Sequence, residues 1–160
     1  MATKSSRHLV APELAPGIDV FPNLDFSLGL EAPRAGMIGR ELPPLPPELE
    51  TVTCTERFIT GAPGDPDVRI LHYVPPGSAA APRPAVLEIH GGGFVIGKAD
   101  MSDAANRMIA LKLDCVIVSV DYRLAPETPW PGARNDNYAA LCWLANNAAE
   151  LGVDPARVNV

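Results

Sequence analysis

Residues 90–98 read His-Gly-Gly-Gly-Phe-Val-Ile-Gly-Lys. Three consecutive glycines carry no Cβ, so the backbone there can turn sharply and come close to a ligand. Their amides have no strand partner and can converge on a negative oxygen. An oxyanion hole is such an arrangement, with donors about 2.7–3.1 Å from the oxygen on which charge develops in acyl transfer. The competing reading is a phosphate loop, because Gly92, Gly97 and Lys98 satisfy G-x-x-x-x-G-K. Ala99 stands where that loop needs a magnesium-binding hydroxyl, and Phe94-Val95-Ile96 is apolar where phosphates would sit.

A second group of residues follows an apolar run: Asp121-Tyr122-Arg123-Leu124-Ala125-Pro126-Glu127. Charges at the end of a buried strand must pair or reach solvent, since an unpaired buried charge is costly. Asp121 and Arg123 therefore read as structural supports that hold their loop and its neighbours in place. No nucleophile accompanies these motifs. The serines are Ser5, Ser6, Ser27, Ser78, Ser102 and Ser119, none flanked as G-x-S-x-G, and Ser119 falls inside a strand. His8 lies near the terminus and His72 reads as a half-exposed residue of an edge strand pair. His8, His72 and His90 show no metal-ligand spacing, and no cofactor is expected.

Together, His90-Gly91-Gly92-Gly93-Phe94 and Asp121-Tyr122-Arg123-Leu124-Ala125-Pro126-Glu127, 31 residues apart at their first members, resemble the hormone-sensitive-lipase-like family of α/β-hydrolases. Most of that family are carboxylesterases. Pro129-Trp130-Pro131-Gly132-Ala133 and Asp136 resemble its next helix, and the likeness covers about residues 50–160. The resemblance implies that Gly92 and Gly93 donate to the oxyanion, Gly91 allows the turn, His90 anchors the loop, and Phe94 lines the acyl or alcohol pocket. It also implies that the nucleophile, acid and base come later than Val160, on a G-x-S-x-G elbow and beyond. The expected partners are a small-molecule ester, the C-terminal half of the same enzyme and a second copy of the chain. The alternatives on the same scaffold are a non-catalytic small-molecule receptor, as plant gibberellin receptors are, or an inert fragment.

The elements that must position these residues follow from periodicity and punctuation. Thr51–Ile59 is β-branched and alternating, and after a Gly/Pro/Asp turn Val68–Val74 reads as a second strand, which predicts an antiparallel pair. Ala85–His90 and Cys115–Val120 are near-continuous apolar runs, as in strands covered on both faces. Between them, Ala105, Met108, Ile109 and Leu113 have helical spacing, with Asp100, Ser102 or Asp103 available as a cap. A second helix runs from Pro131 towards Gly152, and Arg157-Val158-Asn159-Val160 begins another strand. The order β-β-β-α-β-α-β calls for a parallel sheet with right-handed crossovers after the antiparallel pair. This is the N-terminal half of an α/β-hydrolase fold, in residues 46–160. Residues 1–45, with six prolines, read as a cap segment of one or two short helices; Pro43-Pro44-Leu45-Pro46-Pro47 reads as a stiff polyproline connector.

Composition bounds the rest. The 160 residues carry 13 Lys and Arg against 19 Asp and Glu, a net charge of −6, which argues against nucleic acid as the partner. The 18 prolines and 13 glycines stay below the share of a low-complexity chain. No apolar run approaches the roughly 20 residues of a membrane span. Met1–His8 leads into no apolar signal region, and Cys54, Cys115 and Cys142 are widely spaced, so a cytoplasmic protein with reduced thiols is expected.

Overall fold

The computed structural model describes residues 6–20, 25–38 and 44–160, in two compact units, Met1–Arg40 and Glu41–Val160. In the first, 3₁₀ turns at Ser6–Leu9 and Pro12–Leu14 precede helices α1 (Ala15–Val20) and α2 (Glu31–Ile38). Short helices were the expectation there; Phe21, Leu24 and Pro43, on which parts of that reading fell, lie outside the described residues. The polyproline connector continues to Pro46, whose φ of −56° and ψ of 140° are those of the extended left-handed helix. Pro47 then opens the short helix α3 (Pro47–Glu50).

The second unit is a five-stranded sheet with helices on both faces. Its strands are β1 (Thr53–Ile59), β2 (Val68–Val74), β3 (Arg83–Ile89), β4 (Val116–Asp121) and β5 (Val153–Asn159). Their order across the sheet is β1-β2-β4-β3-β5. β1 and β2 pair antiparallel, as do β2 and β4, whereas β4, β3 and β5 run parallel. The two parallel crossovers carry α4 (Asp103–Leu113) and α5 (Gly132–Asn146).

Side-chain alternation explains how the layers close. On one face Ile70, Leu87, Val116, Val118 and Val120 pack against Ala140 and Leu144 of α5. On the other, Leu71, Tyr73 and Ile117 pack against Ala110 of α4. β4 is buried on both faces, which accounts for its unbroken apolar run.

The structure differs from the sequence reading in four places. β5 starts at Val153, four residues earlier than Arg157, and its pairing with β3 is interrupted by an irregularity between Arg83 and Ala85. Asp154 and Pro155 lie within this strand. α5 ends at Asn146, and hydrogen-bonded turns occupy residues 147–152 before Gly152, at φ +65°, redirects the chain. None of the three polar residues expected to cap α4 does so: Asp100 pairs with Arg69, the Ser102 hydroxyl donates to Glu88, and Asp103 pairs with Arg107 one turn on. His72 is 5% exposed rather than half-exposed, because it faces α5, where its ring meets Trp143 edge-on at 6.4 Å. No helix among the described residues is long and apolar enough to cross a membrane.

Candidate active site

β3 delivers the glycine loop to the carboxyl end of the parallel strands, where ligands bind in open α/β sheets. The chain leaves the strand at His90 and reverses through Gly92 at φ +133° and Gly93 at φ +60°. The N–H groups of Val95 and Ile96 both donate to the Gly92 carbonyl, at 3.2 and 3.1 Å. The fold-back is so tight that a Cβ on Gly92 would sit 1.9 Å from the Ile96 carbonyl oxygen. One on Gly97, at φ +105°, would sit 2.6 Å from the His90 ring. Gly91 is different: a Cβ there meets nothing within 4 Å and its φ is not positive, so Gly92 and Gly97 carry the turn expected of Gly91. Among the described residues no hydrogen-bond acceptor faces the N–H groups of Gly92 and Gly93.

The last residue of β4 and residues just beyond it hold this loop at three points. The Asp121 carboxylate accepts from the Ala99 N–H at 2.9 Å. Tyr122 donates its hydroxyl to the His90 carbonyl at 2.6 Å and stacks on the His90 imidazole, with ring centroids 4.1 Å apart. The Ala125 N–H donates to the Phe94 carbonyl at 2.8 Å, which braces a non-glycine residue held at φ +63°. His90 itself is 5% exposed, and its Nδ1–H donates to the Gly91 carbonyl at 2.9 Å.

Asp121 and Arg123 do not pair with each other. Asp121 takes Arg69 of β2, directly opposite it in the antiparallel register, at 3.0 Å. Arg123 is bound by Asp136 of α5, with contacts down to 2.7 Å, and by Asp65 of the β1–β2 turn at 3.1 Å. Both partners hold the Arg123 guanidinium protonated well above its ordinary value, Asp136 first. Reciprocally, Arg123 and then Asn135 hold the Asp65 carboxyl below the usual carboxylate range.

Tyr122, Arg69 and Asp65 were missed as supports in the sequence. Arg69 carried a signal, a lone charge in an otherwise apolar strand opposite an unpaired Asp121. Using it required knowing that β2 pairs with β4 rather than with β3.

A cavity of about 530 Å³ opens beside the loop, lined by Phe94, Ile89, Trp130, Tyr138, Leu141 and Val160 among others. Phe94 is 58% exposed and leans on Tyr122, so its ring is presented at this cavity. Neither Ser102 nor Ser119 is placed to attack a bound ester. Ser119 is fully buried with its hydroxyl on Glu88, and Ser102 shares the same carboxylate. His72 is remote from the loop, on the α5 face of β2. Cys54 and Cys115 have thiols pushed up by burial, so neither is a ready nucleophile.

Residues 86–160 match the model of a family described as having the α/β-hydrolase fold. The carboxylesterase NlhH of Mycobacterium tuberculosis is 40% identical over 152 residues, covering 94% of this chain and 46% of that protein. The esterase LipI of the same organism is 38% identical, covering 99% of this chain and 48% of its own length. Among solved structures, a bacterial heroin esterase superposes with a TM-score of 0.82 at 38% identity, over 96% of this chain and 48% of that one. The chain spans about half the length of the relatives it matches.

Proposed function

We propose that this chain, whose residues 86–160 match a family of α/β-hydrolase fold, supplies the oxyanion-hole half of a carboxylic ester hydrolase. The observation that carries the reading is the pair of adjacent, acceptor-free amides at Gly92 and Gly93, on a loop braced at His90, Phe94 and Ala99. Pre-organised amides of this kind stabilise the oxygen that becomes negative when an ester carbonyl is attacked, and they need no reorganisation as the charge develops.

In the mechanism that follows, the ester carbonyl oxygen sits between the N–H groups of Gly92 and Gly93. Phe94 borders the acyl or alcohol group. His90 acts as an anchor: its one bonded ring nitrogen is committed to the neighbouring carbonyl, and its ring is clamped by Tyr122. The serine nucleophile, activated by a histidine and an acid, belongs to a C-terminal portion outside these 160 residues. The half-length match to esterase relatives supports this. The partners in this reading are a small ester and that C-terminal portion. Three free cysteines favour a reducing, cytoplasmic setting.

The test is intact mass under denaturing conditions after exposure to a fluorophosphonate probe, for this chain and for the longer protein. The longer protein is expected to gain one probe on a serine beyond Val160, while residues 1–160 stay unlabelled. An unlabelled longer protein would remove the hydrolase reading and leave a non-catalytic receptor.

A further inference from the structure

We propose that Arg69, a β2 residue outside both loop motifs, is a positioning residue that fixes the downstream end of the glycine loop and thereby the spacing of the Gly92 and Gly93 amides. The proposal rests on the reading of those amides as the oxyanion donors.

The guanidinium is engaged on every nitrogen. Nε donates to Glu56 at 2.6 Å, Nη1 to Asp121 at 3.0 Å, and Nη1 and Nη2 together grip Asp100 at 2.9 and 3.1 Å. Asp100 and Ala99 are the residues on which the loop lands, and Asp121 in turn accepts the Ala99 N–H. Arg69 therefore ties the loop's exit to the end of β4 both directly and through Asp121. Three carboxylates meet around this one guanidinium, with Lys98 reaching Asp100 only at 3.8 Å. Without Arg69, Asp100 and Asp121 would face each other as like charges across the landing point.

The loop is stiff enough to transmit a displacement there. The Ile96 backbone is in contact with Gly92, and Gly97 is in contact with the His90 ring, each too closely to admit a Cβ. The upstream end is fixed by Tyr122 and the middle by Ala125. Movement of residues 96–99 is thus passed to Gly92 rather than absorbed.

The same geometry separates positioning from bulk stability. The Arg69 side chain is 23% exposed, and Asp100 and Asp121 are 37% and 27% exposed. These side chains keep access to solvent, so each ion pair is partly screened and adds modestly to folding. A misplacement on the scale of an ångström at a reacting centre, by contrast, can cost about a hundredfold in rate.

The experiment uses the longer protein and p-nitrophenyl butyrate, with steady-state kinetics and thermal unfolding for Arg69→Met, Arg69→Lys and Asp100→Asn. Arg69→Met is expected to lower kcat about tenfold to a hundredfold and leave KM within about twofold, and, because Asp100 and Asp121 then face each other, to lower Tm as well, with the kcat loss persisting at temperatures where the variant is fully folded. Lysine can hold one carboxylate but cannot reproduce the fork, so Arg69→Lys should recover part of kcat. Asp100→Asn should lower kcat in the same direction and serves in place of Arg69→Met if that variant does not fold. A folded Arg69→Met or Asp100→Asn with wild-type kcat, in an enzyme that turns over, overturns the positioning role alone. A wild-type protein that neither hydrolyses the ester nor takes up a fluorophosphonate overturns the hydrolase reading, and this proposal with it.

Discussion

At the residue scale, the glycines of the loop are not equivalent, and substitution separates them. Gly97→Ala would force a Cβ into the His90 imidazole at 2.6 Å and hold alanine at φ +105°. Strain and overlap of this kind cost about 2–4 kcal/mol together, so urea unfolding should show a clear loss. Gly91→Ala meets neither obstacle and should leave stability within about 0.5 kcal/mol. Gly93→Pro removes one proposed donor and also forces φ from +60° to about −65°, so kcat in the longer protein should fall by at least the roughly 10²–10³-fold of a single lost oxyanion donor. Retained turnover in a folded Gly93→Pro enzyme would reassign the site. A different single residue gives the pH prediction. Burial first, and the Arg57 charge second, push the His72 imidazole down to about 4. The unfolded chain then binds this proton more readily than the folded one, so stability falls as pH drops from about 6.5 through 4. The full loss is about 3 kcal/mol below that window. The urea midpoint should decline across it, and His72→Phe should flatten the decline.

At the element scale, the sequence announces strands and helices better than it announces their partners. β4 was legible because it is apolar at nearly every position, and the antiparallel β1–β2 pair because an alternating run and an apolar run flank a Gly/Pro turn. The glycine loop was legible because few functions need three glycines after a buried strand. Less legible was what depends on pairing between distant segments. His72 looks like an edge-strand residue by position, yet β2 is an inner strand covered by α5, so it is buried. β5 hid behind Asp154-Pro155, since proline rarely sits inside a strand; here it falls where the pairing with β3 is irregular. The three cap residues of α4 were drawn away by Arg69, Glu88 and Arg107, tertiary partners that local spacing does not reveal. The same holds for α5, whose start is fixed by tertiary contact. Asp136 is 1% exposed and accepts the Arg123 N–H and guanidinium together. Asp136→Ala should therefore cost about 3 kcal/mol by leaving Arg123 without its main partner, measurable as a drop in urea midpoint. Asp65→Ala, on the exposed side of the same guanidinium, should cost well under half as much.

At the scale of the Glu41–Val160 unit, the question is what belongs against the face of the sheet beside α5. The floor of the cavity there is Leu87, Ile89, Leu141 and Val160, and Ile89 and Val160 remain 39% and 76% exposed. The crossovers already present indicate an occupant. β3 to β4 steps towards β2 with α4 on one face; β4 to β5 steps the other way with α5 on the opposite face. Right-handed connection requires this alternation. A further crossover from β5, continuing away from β4, must therefore put its helix on the α5 face, over these apolar residues. If the proposed C-terminal portion continues the sheet beyond β5, its next helix would cover this floor and leave Phe94 and Trp130 at the rim. An apolar-surface dye should then bind residues 1–160 strongly and the longer protein weakly. Ile89→Asp should be tolerated in the 160-residue chain but should destabilise the longer protein by about 3 kcal/mol, the cost of a buried unpaired charge. Equal dye binding at both lengths, with Ile89→Asp tolerated in both, would mean that the groove stays open. It would then have to be treated as a ligand pocket in its own right.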